Sequence, residues 1–326
     1  MVRRRDHRGV MTDGEGADMV GLAIDIGQTQ ARIRVLGAAG ASAGEHEVRG
    51  FAYGGDLLAV IPEIVDDAAG VRGLDRIDAV TVGSTGLYGR VPAVDGMAHR
   101  LHRDHGVRRT IVADDAVTAY LGARGDAHGV VVAAGTGMVG LGLGPRGAAR
   151  VDGVGGMIGD DGAGWWIGRR GLIAAISAAD GRAPASRALL ARLESRFGAV
   201  AEFPAVLAAD EHPVAVVASF AKDVAEVARE GDEVATGIWR EAGAHIAGVV
   251  VAAATRSGLD GEVPWVLLGR LGAADDLLRP GWEPVLRAGL PGAALVAPDG
   301  MPLDGVTRLL DVDTARFGAM VRAVEL

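Results

Sequence analysis

The feature that most constrains the fold of this chain is a strand-turn-strand unit that occurs twice. The first copy covers residues 21–37, where the apolar run GLAIDI leads through the turn GQTQ into the alternating strand ARIRVLG. The second copy covers residues 129–144, GVVVAAGTGMVGLGLG, and again has a threonine among glycines at its turn. Because each copy opens a region of roughly 100 to 200 residues, the repeat predicts two lobes built on one plan.

Strands and helices alternate along the rest of the chain. Residues 78–86 and 108–115 are apolar runs with polar ends, which is typical of strands that expose functional groups at the carboxyl edge of a parallel sheet. Helical spacing follows in residues 56–70 and 116–125, and successive helical segments occupy residues 165–258. This alternation predicts an α/β fold.

Further segments complete the predicted secondary structure. Residues 263–272 are expected to form a late strand that runs into a glycine turn, and residues 275–289 a helix. We expect a closing helix over residues 306–326 and a solvated loop at the histidine-rich residues 99–105. The polar residues 1–18 are expected to form a disordered leader.

Composition excludes several classes of function. The chain has no cysteine, which removes disulfides, thiolate nucleophiles, cysteine-based zinc sites and cysteine-ligated iron–sulfur clusters. A net charge of -9 argues against binding to nucleic acid or to an anionic membrane surface. The longest apolar run, residues 246–254, is too short to cross a bilayer, and the start lacks the apolar region of a secretory signal. We therefore expect a cytoplasmic protein with a small-molecule partner.

Polar residues at the turns and strand ends are the first candidates for a site. A turn of Gly and Thr exposes backbone N–H groups and a hydroxyl that can bind phosphate, although such residues also build ordinary tight hairpins. Asp25 ends an apolar strand, where a carboxylate fits either a turn cap or a cleft that contains Mg²⁺. Asp114 and Asp115 stand where a strand gives way to a helix, so that one can cap the helix while the other acts as a general base.

A glycine-rich stretch at residues 155–168, GGMIGDDGAGWWIG, places two acids beside two tryptophans. Neighbouring residues cannot share one helix face, so at most one of Trp165 and Trp166 lines a cleft and the other belongs to the core. Asp161 fits either a ligand contact or the cap of a helix that begins near Gly164.

Taken together and in order, these motifs resemble those of the sugar kinase, Hsp70 and actin-like superfamily. Within it they are most similar to the N-acetylglucosamine kinase-like branch of the BadF/BadG/BcrA/BcrD ATPase family, and in particular to bacterial glucosamine kinases. The resemblance rests on DIGQTQARIRVLG for the first phosphate loop, ADDAVTAYLGA for the catalytic acid, GTGMVGLG for the second phosphate loop, GDDGAGWWIGRRGL for the sugar loop and VLLGRLG for the adenosine loop.

The resemblance implies an α/β actin-like ATPase fold, in which two ribonuclease H-like lobes enclose a nucleotide cleft. The N-terminal lobe would cover residues 19–115 and would be joined by the C-terminal helix 306–326. The C-terminal lobe would cover residues 116–305. The resemblance also leaves a homodimer open.

The resemblance further implies a role for each matching residue. Asp115 would be the catalytic base, and Asp25 would organise Mg²⁺. The residues implied in binding ATP are Gly27, Gln28, Thr29, Arg32, Gly135, Thr136, Gly137, Gly269 and Arg270. The residues implied in binding the sugar are Ser84, Asp114, Gly155, Asp160 and Asp161.

Four positions depart from the pattern of the branch. Gln28 stands where the branch usually has glycine, and Arg270 replaces the second glycine of the adenosine loop. Val154 stands where animal N-acetylglucosamine kinases have tryptophan, and Asp161 replaces a glutamate. Because an acetamido group favours an aromatic or apolar wall and a protonated amine favours carboxylates, Val154 together with Asp160 and Asp161 favours glucosamine.

The implied activity is transfer of the γ-phosphate of ATP to the 6-hydroxyl of glucosamine. The alternatives are an N-acetylglucosamine kinase, a BadF-type ATPase and a non-catalytic sugar-binding protein. BadF-type activators hold their iron–sulfur cluster with cysteines, which this chain lacks.

Overall fold

The computed structural model describes residues 19–27, 30–37, 42–50 and 55–326. The expected disordered leader, residues 1–18, lies outside the described residues, as do Gln28 and Thr29.

The described residues form two sheets and a set of helices. The strands are β1 (Gly21–Ile26), β2 (Gln30–Leu36), β3 (Ser42–Arg49), β4 (Ala79–Ser84), β5 (Arg109–Asp114), β6 (Gly129–Ala134), β7 (Met138–Gly144), β8 (Gly147–Asp152), β9 (Val263–Leu268), β10 (Ala293–Leu295) and β11 (Val321–Glu325). The helices are α1 (Leu57–Arg72), α2 (Asp95–His105), α3 (Asp115–Arg124), α4 (Gly164–Asp180), α5 (Arg187–Phe197), α6 (Phe203–Ala209), α7 (Pro213–Ser219), α8 (Ala221–Arg229), α9 (Glu233–Ser257), α10 (Asp275–Gly289) and α11 (Pro302–Arg308). Within the described residues, 3-10 helices cover Arg270–Ala274 and Thr314–Met320.

The two sheets have the same strand order. The first runs β3-β2-β1-β4-β5 with β11 added beside β5, and the second runs β8-β7-β6-β9-β10. In each sheet the first three strands are antiparallel neighbours, and the last two are parallel to the central strand. This is the ribonuclease H-like plan used twice, so the predicted fold class is confirmed. The division into lobes at residue 115 stays a prediction.

Helices α3 and α11 lie in the hydrophobic core that joins the two sheets. They cross closely because both present glycine at the crossing. A Cβ atom on Gly305 would collide with the carbonyl oxygen of Thr118, and one on Gly122 with that of Met301. This tight packing fixes α3, whose first residue is Asp115, between the two sheets.

The remaining helices cover the outer faces of the sheets. Helices α1 and α2 complete the core of the first sheet, and the helices from α4 to α10 form the core beside the second. The predicted strand at residues 263–272 is confirmed as β9, and the predicted helix at residues 275–289 as α10. In the described part of the chain, no helix combines the length and the hydropathy that a membrane span requires.

The predicted closing helix over residues 306–326 is wrong beyond Arg308. The following 3-10 helix contains Gly318 at φ 55° and ψ -130°, a conformation that no helix accommodates. The chain then pairs β11 antiparallel with β5, from Val321 beside Ala113 to Glu325 beside Arg109. The segment thus satisfies backbone groups at the edge of the first sheet, a long-range pairing that local sequence does not reveal.

The predicted loop at residues 99–105 is also wrong, because these residues lie in α2. Met97, Ala98 and Leu101 are buried on one side of this helix, while its histidines and arginines occupy the other side. The helix ends at Gly106, which adopts the left-handed conformation at φ 77°. The high content of polar residues therefore reflects an amphipathic helix.

Candidate active site

Predicted site residues gather where three parallel strands of the first sheet end. Asp25 is the penultimate residue of β1, and in the sheet register Ser84 of β4 stands beside both Ile26 and Asp114. Neighbouring strands are about 4.8 Å apart, which places Asp25 and Asp114 two strand spacings from each other. Ser84 is fully buried and its hydroxyl donates a hydrogen bond to the carbonyl oxygen of Thr85 at 3.0 Å.

Asp114 caps helix α3 and is fully buried. Its carboxylate accepts hydrogen bonds from the backbone N–H groups of Ala116 at 3.1 Å and Gly89 at 2.7 Å. The Nε atom of Arg150 lies 3.4 Å from the same carboxylate. Asp114 is therefore the cap of the predicted pair, and Asp115 is the acid available for chemistry.

Asp115 is the first residue of α3 and is half-buried. Burial raises the pKa of this carboxyl to about 7, and the neighbouring charge of Asp114 adds to the rise. Arg150 and a hydrogen bond from the Thr85 side chain act in the opposite direction on this pKa. A carboxyl with a pKa near the working pH can accept a proton from a substrate hydroxyl at neutral pH.

Asp25 is a second half-buried carboxyl at the same edge. Burial raises its pKa to about 6, although the nearby Arg32 guanidinium lowers it. Arg32 itself is exposed and pairs with Glu47 at 3.2 Å. A carboxylate whose charge is so incompletely compensated fits a site for Mg²⁺, which takes one or two carboxylates and keeps several waters. The turn after β1 is closed by the N–H of Gly27, which donates to the carbonyl oxygen of Gln30 at 3.0 Å.

The second Gly and Thr turn lies between β6 and β7. Gly135 and Thr136 are exposed, and the N–H of Gly135 donates to the carbonyl oxygen of Gly137 at 2.9 Å. The first N–H groups of α4 hold this turn, since Gly164 donates to Gly135 at 2.9 Å and Trp165 to Thr136 at 3.0 Å. The predicted second phosphate loop is thus anchored to the start of α4.

The predicted adenosine loop lies against the end of β6. Gly269 has φ 98°, and a Cβ atom there would collide with the carbonyl oxygen of Ala134, the residue before the second turn. Only glycine tolerates both the positive φ and the close approach of this carbonyl oxygen. Arg270 is exposed and begins the following 3-10 helix. The structure therefore brings Gly269 and the residues of the second turn together.

Asp160 is a buried acid of the predicted sugar loop, with 8% of its surface exposed. Its N–H donates to Asp152 Oδ1 at 3.0 Å, and its Oδ2 lies against Gly137 of the second turn. Its Oδ1 atom has no hydrogen-bond partner among the described residues. Burial raises the pKa of Asp160, and the charge of Asp152 adds to that effect. A buried carboxylate oxygen without a partner is costly unless a ligand donates to it.

Two neighbouring residues of the predicted sugar loop, Asp161 and Gly155, have different surroundings. Asp161 is exposed, and the alternative that it caps α4 is wrong, because Ala163 occupies the cap position without a side-chain hydrogen bond. The carbonyl oxygen of Gly155 accepts the N–H groups of Ile158 at 3.1 Å and Gly159 at 3.0 Å, which folds the loop.

The two tryptophans separate as predicted. Trp166 is 8% exposed and belongs to the core beside the second sheet. The ring of Trp165 lies over Gly156, where a Cβ atom would come within 2.8 Å of its Cε3 atom. The paired glycines of the sugar loop therefore make room for one of the two rings.

Three residues around the site were not predicted from the sequence. Arg150 joins the two halves of the site, because besides Asp114 it contacts the carbonyl oxygens of Asp152 at 2.7 Å and Gly153 at 3.0 Å. Nothing in the local sequence marks this arginine. Thr85 and Asp152 had a signal, since each ends a predicted or observed strand with a polar residue.

Backbone strain is concentrated at the same place. Among the described residues, the non-glycine residues with positive φ are Tyr88 at 49°, Asp152 at 59° and Asp160 at 59°. Tyr88 precedes Gly89, whose N–H group donates to Asp114. Asp152 and Asp160 contact each other, because the N–H group of Asp160 donates to the carboxylate of Asp152. Such strain is typical of sites where function dictates geometry.

Comparisons with known proteins identify the family and the fold. The sequence model of the BadF/BadG/BcrA/BcrD ATPase family matches residues 22–274. A search of curated proteins found no match. A candidate N-acetylglucosamine kinase from Chromobacterium violaceum is 28% identical, with a TM-score of 0.68 over 90% of this chain and 100% of that chain.

Two more distant structures share the fold. A candidate N-acetylglucosamine kinase from Porphyromonas gingivalis is 19% identical, with a TM-score of 0.63 over 88% of this chain and 97% of that one. A ROK family glucokinase from Streptomyces griseus, in complex with glucose and AMPPNP, is 17% identical, with a TM-score of 0.53 over 89% and 98%. Since the family match covers more than half of the sequence, this chain belongs to the BadF/BadG/BcrA/BcrD ATPase family, as its motifs predicted.

Proposed function

We propose that this protein transfers the γ-phosphate of ATP to the 6-hydroxyl of glucosamine, with glucosamine 6-phosphate and ADP as products. The observation that carries the proposal is Asp115, a half-buried carboxyl whose pKa is raised to about 7 at the edge where the two sheets meet. Phosphoryl transfer requires mainly alignment and charge stabilisation, so one base between two phosphate-binding turns is chemically sufficient.

Asp115 acts as the base in this proposal. As the 6-oxygen of the sugar attacks the γ-phosphorus, Asp115 accepts the hydroxyl proton, and the bond from phosphorus to the β,γ-bridging oxygen breaks to release ADP. Asp114 supports this role because it caps α3 and thereby fixes the position of its neighbour.

The two turns hold the nucleotide. Exposed N–H groups and the hydroxyl of Thr136 would contact the phosphates, and the sequence resemblance assigns Gln28 and Thr29 to the same task. Gly269 and Arg270 would border the adenine. The Streptomyces griseus glucokinase, a protein of the same fold, was solved in complex with glucose and AMPPNP, which supports ATP as the nucleotide. Asp25 would hold Mg²⁺, which when bound neutralises charge on the phosphate oxygens.

The sugar would lie against Asp160. Its unpartnered Oδ1 atom fits a donor on the sugar, either a hydroxyl or the ammonium group. Asp152 at the end of β8 and Asp160 and Asp161 of this loop bring three carboxylates to this side of the site, and their charge favours the protonated amine of glucosamine over an acetamido group. Asp161, the exposed member, faces solvent and would contact the sugar only from the rim of the cleft.

A second candidate is N-acetylglucosamine as the substrate. The candidate N-acetylglucosamine kinase from Chromobacterium violaceum, which is 28% identical over 90% of this chain, favours it. The two substrates differ only in the group on carbon 2, so one experiment separates them.

That experiment is a panel of sugars with ATP and Mg²⁺, followed by location of the phosphate on the product by NMR. We expect ADP release with glucosamine to be faster than with N-acetylglucosamine or glucose, and the phosphate to be on carbon 6. A faster reaction with N-acetylglucosamine would select the second candidate. ATP hydrolysis at the same rate with and without any sugar would contradict both.

A further inference from the structure

A pocket of about 510 Å³ lies beside β8, between the end of α9 and the 3-10 helix Thr314–Met320. Its lining includes the arginines Arg146, Arg150, Arg256 and Arg316 and no acidic residue. Four arginines without an acid are unusual in a chain whose net charge is -9. The pocket shares Arg150 and Gly89 with the surroundings of Asp114, and it contains none of the residues that we assign to ATP.

The charges of these arginines are poorly compensated. Of these four arginines, only Arg150 forms an ion pair with a described residue, Asp114, at 3.4 Å. Arg256 donates to the carbonyl oxygen of Arg150 at 2.7 Å, and Arg316 to that of Asp126 at 3.2 Å. Like charges held together repel each other unless an anion lies between them. The arrangement therefore resembles a binding site more than a structural ion-pair network.

The shape and chemistry of the pocket select the kind of anion. Guanidinium groups match phosphate oxygens in geometry and form two parallel hydrogen bonds with them. One wall is the outer edge of β8, whose alternate N–H groups are not used by β7 and can donate to oxygens. Phe317 and the alanines of β8 add a small apolar surface. The volume is in the range of small-molecule sites and exceeds what inorganic phosphate requires.

We propose that this pocket binds a phosphate monoester of a small polar metabolite, of the size of a sugar phosphate. The phosphate contacts Arg146 and Arg316, and the polar body of the ligand lies along β8. Binding to this pocket can be measured without turnover, so failure of this proposal is distinguishable from failure of the proposed kinase reaction.

Binding is tested with glucose 6-phosphate as the probe, by isothermal titration of the full chain at low salt. We expect one binding site in the wild type, and no binding of glucose, which lacks the phosphate. The double variant Arg146→Gln/Arg316→Gln should bind the probe at least tenfold more weakly, and Arg146→Gln alone several-fold more weakly. The single variant serves if the double variant does not fold, because Arg146 is exposed and forms no ion pair.

Two controls locate the site. Arg287→Gln removes an exposed arginine from α10, outside the pocket, and should bind glucose 6-phosphate within twofold of the wild type. Asp160→Asn alters the sugar loop and should also leave this binding unchanged. Loss of binding in Asp160→Asn with full binding in the arginine variants would place the probe in the active cleft and overturn the proposal. Absence of binding to the wild type would overturn it as well.

Discussion

The two sheets share one strand order, yet their edges contribute different chemical groups to the candidate site. At the fifth position of the central strand, the first sheet has Asp25 and the second has Ala133. The first sheet supplies carboxyls with raised pKa values, whereas the second supplies a turn of exposed backbone groups and closely packed glycines. A repeated scaffold can therefore place different groups at its two edges, with Asp25 and Asp115 at the first and closely packed backbone at the second, where Asp160 lies beside the turn.

Arg150 connects the two sides. It starts from β8 in the second sheet and reaches Asp114 at the end of β5 in the first. The same guanidinium contacts carbonyl oxygens at the start of the sugar loop. The side chain of Arg150 thus links the site residues of the first sheet to those of the second.

The close packing of glycine beside the second sheet is tested most strongly at Gly269. Gly269→Ala would place a methyl group against the carbonyl oxygen of Ala134 at a φ that disfavours alanine. We expect it to lower the free energy of unfolding by about 2–4 kcal/mol, measured by denaturant titration. Gly272→Ala is the control, because its Cβ would meet ordinary contacts at 3.5 Å or more. Equal stability of the two variants would contradict this reading of the adenosine loop.

A matched pair in the second turn separates the sugar from the nucleotide. A Cβ atom on Gly137 would collide with the Asp160 carboxylate, whereas one on Gly135 would meet nothing within 4 Å. We expect Gly137→Ala to raise the KM for the sugar about tenfold, in line with the loss of one charged hydrogen bond. Gly135→Ala should leave this KM unchanged and affect only the KM for ATP. Identical effects of the two substitutions on the sugar KM would show that Asp160 does not bind it.

The charge supplied by the first sheet predicts a pH profile. Asp115 must be ionised to accept a proton, and its pKa is about 7. We therefore expect kcat/KM to fall about tenfold per pH unit below pH 7. The profile is measured with glucosamine and again with N-acetylglucosamine, which has no titrating amine. A change of slope at the same pH in both profiles is then due to a group of the enzyme and not to the substrate. A profile that is flat from pH 5 to pH 7 would argue against Asp115 as the base.

The same charge predicts a smaller effect on stability. Because the folded-state pKa of Asp115 is raised, protonation stabilises the folded protein fully below the usual Asp value of 3.8, and this stabilisation is lost as the pH rises through about 7. Asp115→Asn removes the buried charge, so we expect a melting temperature about 2–4 °C above the wild type at pH 8. The difference should shrink toward pH 5. A variant that melts below the wild type at pH 8 would show that the carboxylate stabilises the fold.

The sequence predicted the parts that local patterns encode. The two turns, Asp25 and the acid pair all stand at the ends of apolar strands, and period and polarity mark such ends directly. The strand β11 was predicted as a helix because its partner, β5, is distant in sequence. For the same reason Arg150 carried no signal, since its contacts depend on how the two sheets meet. Long-range pairing was the missing information in both cases.

The most direct test of the account is the chemical step itself, measured in a single turnover that starts when enzyme preloaded with ATP and Mg²⁺ is mixed with glucosamine. We expect Asp115→Asn to bind both substrates within a few-fold of the wild type and to transfer the phosphate about 10³-fold more slowly, as loss of a general base does. Transfer by this variant at a rate close to that of the wild type would contradict the assignment of the base to the first sheet.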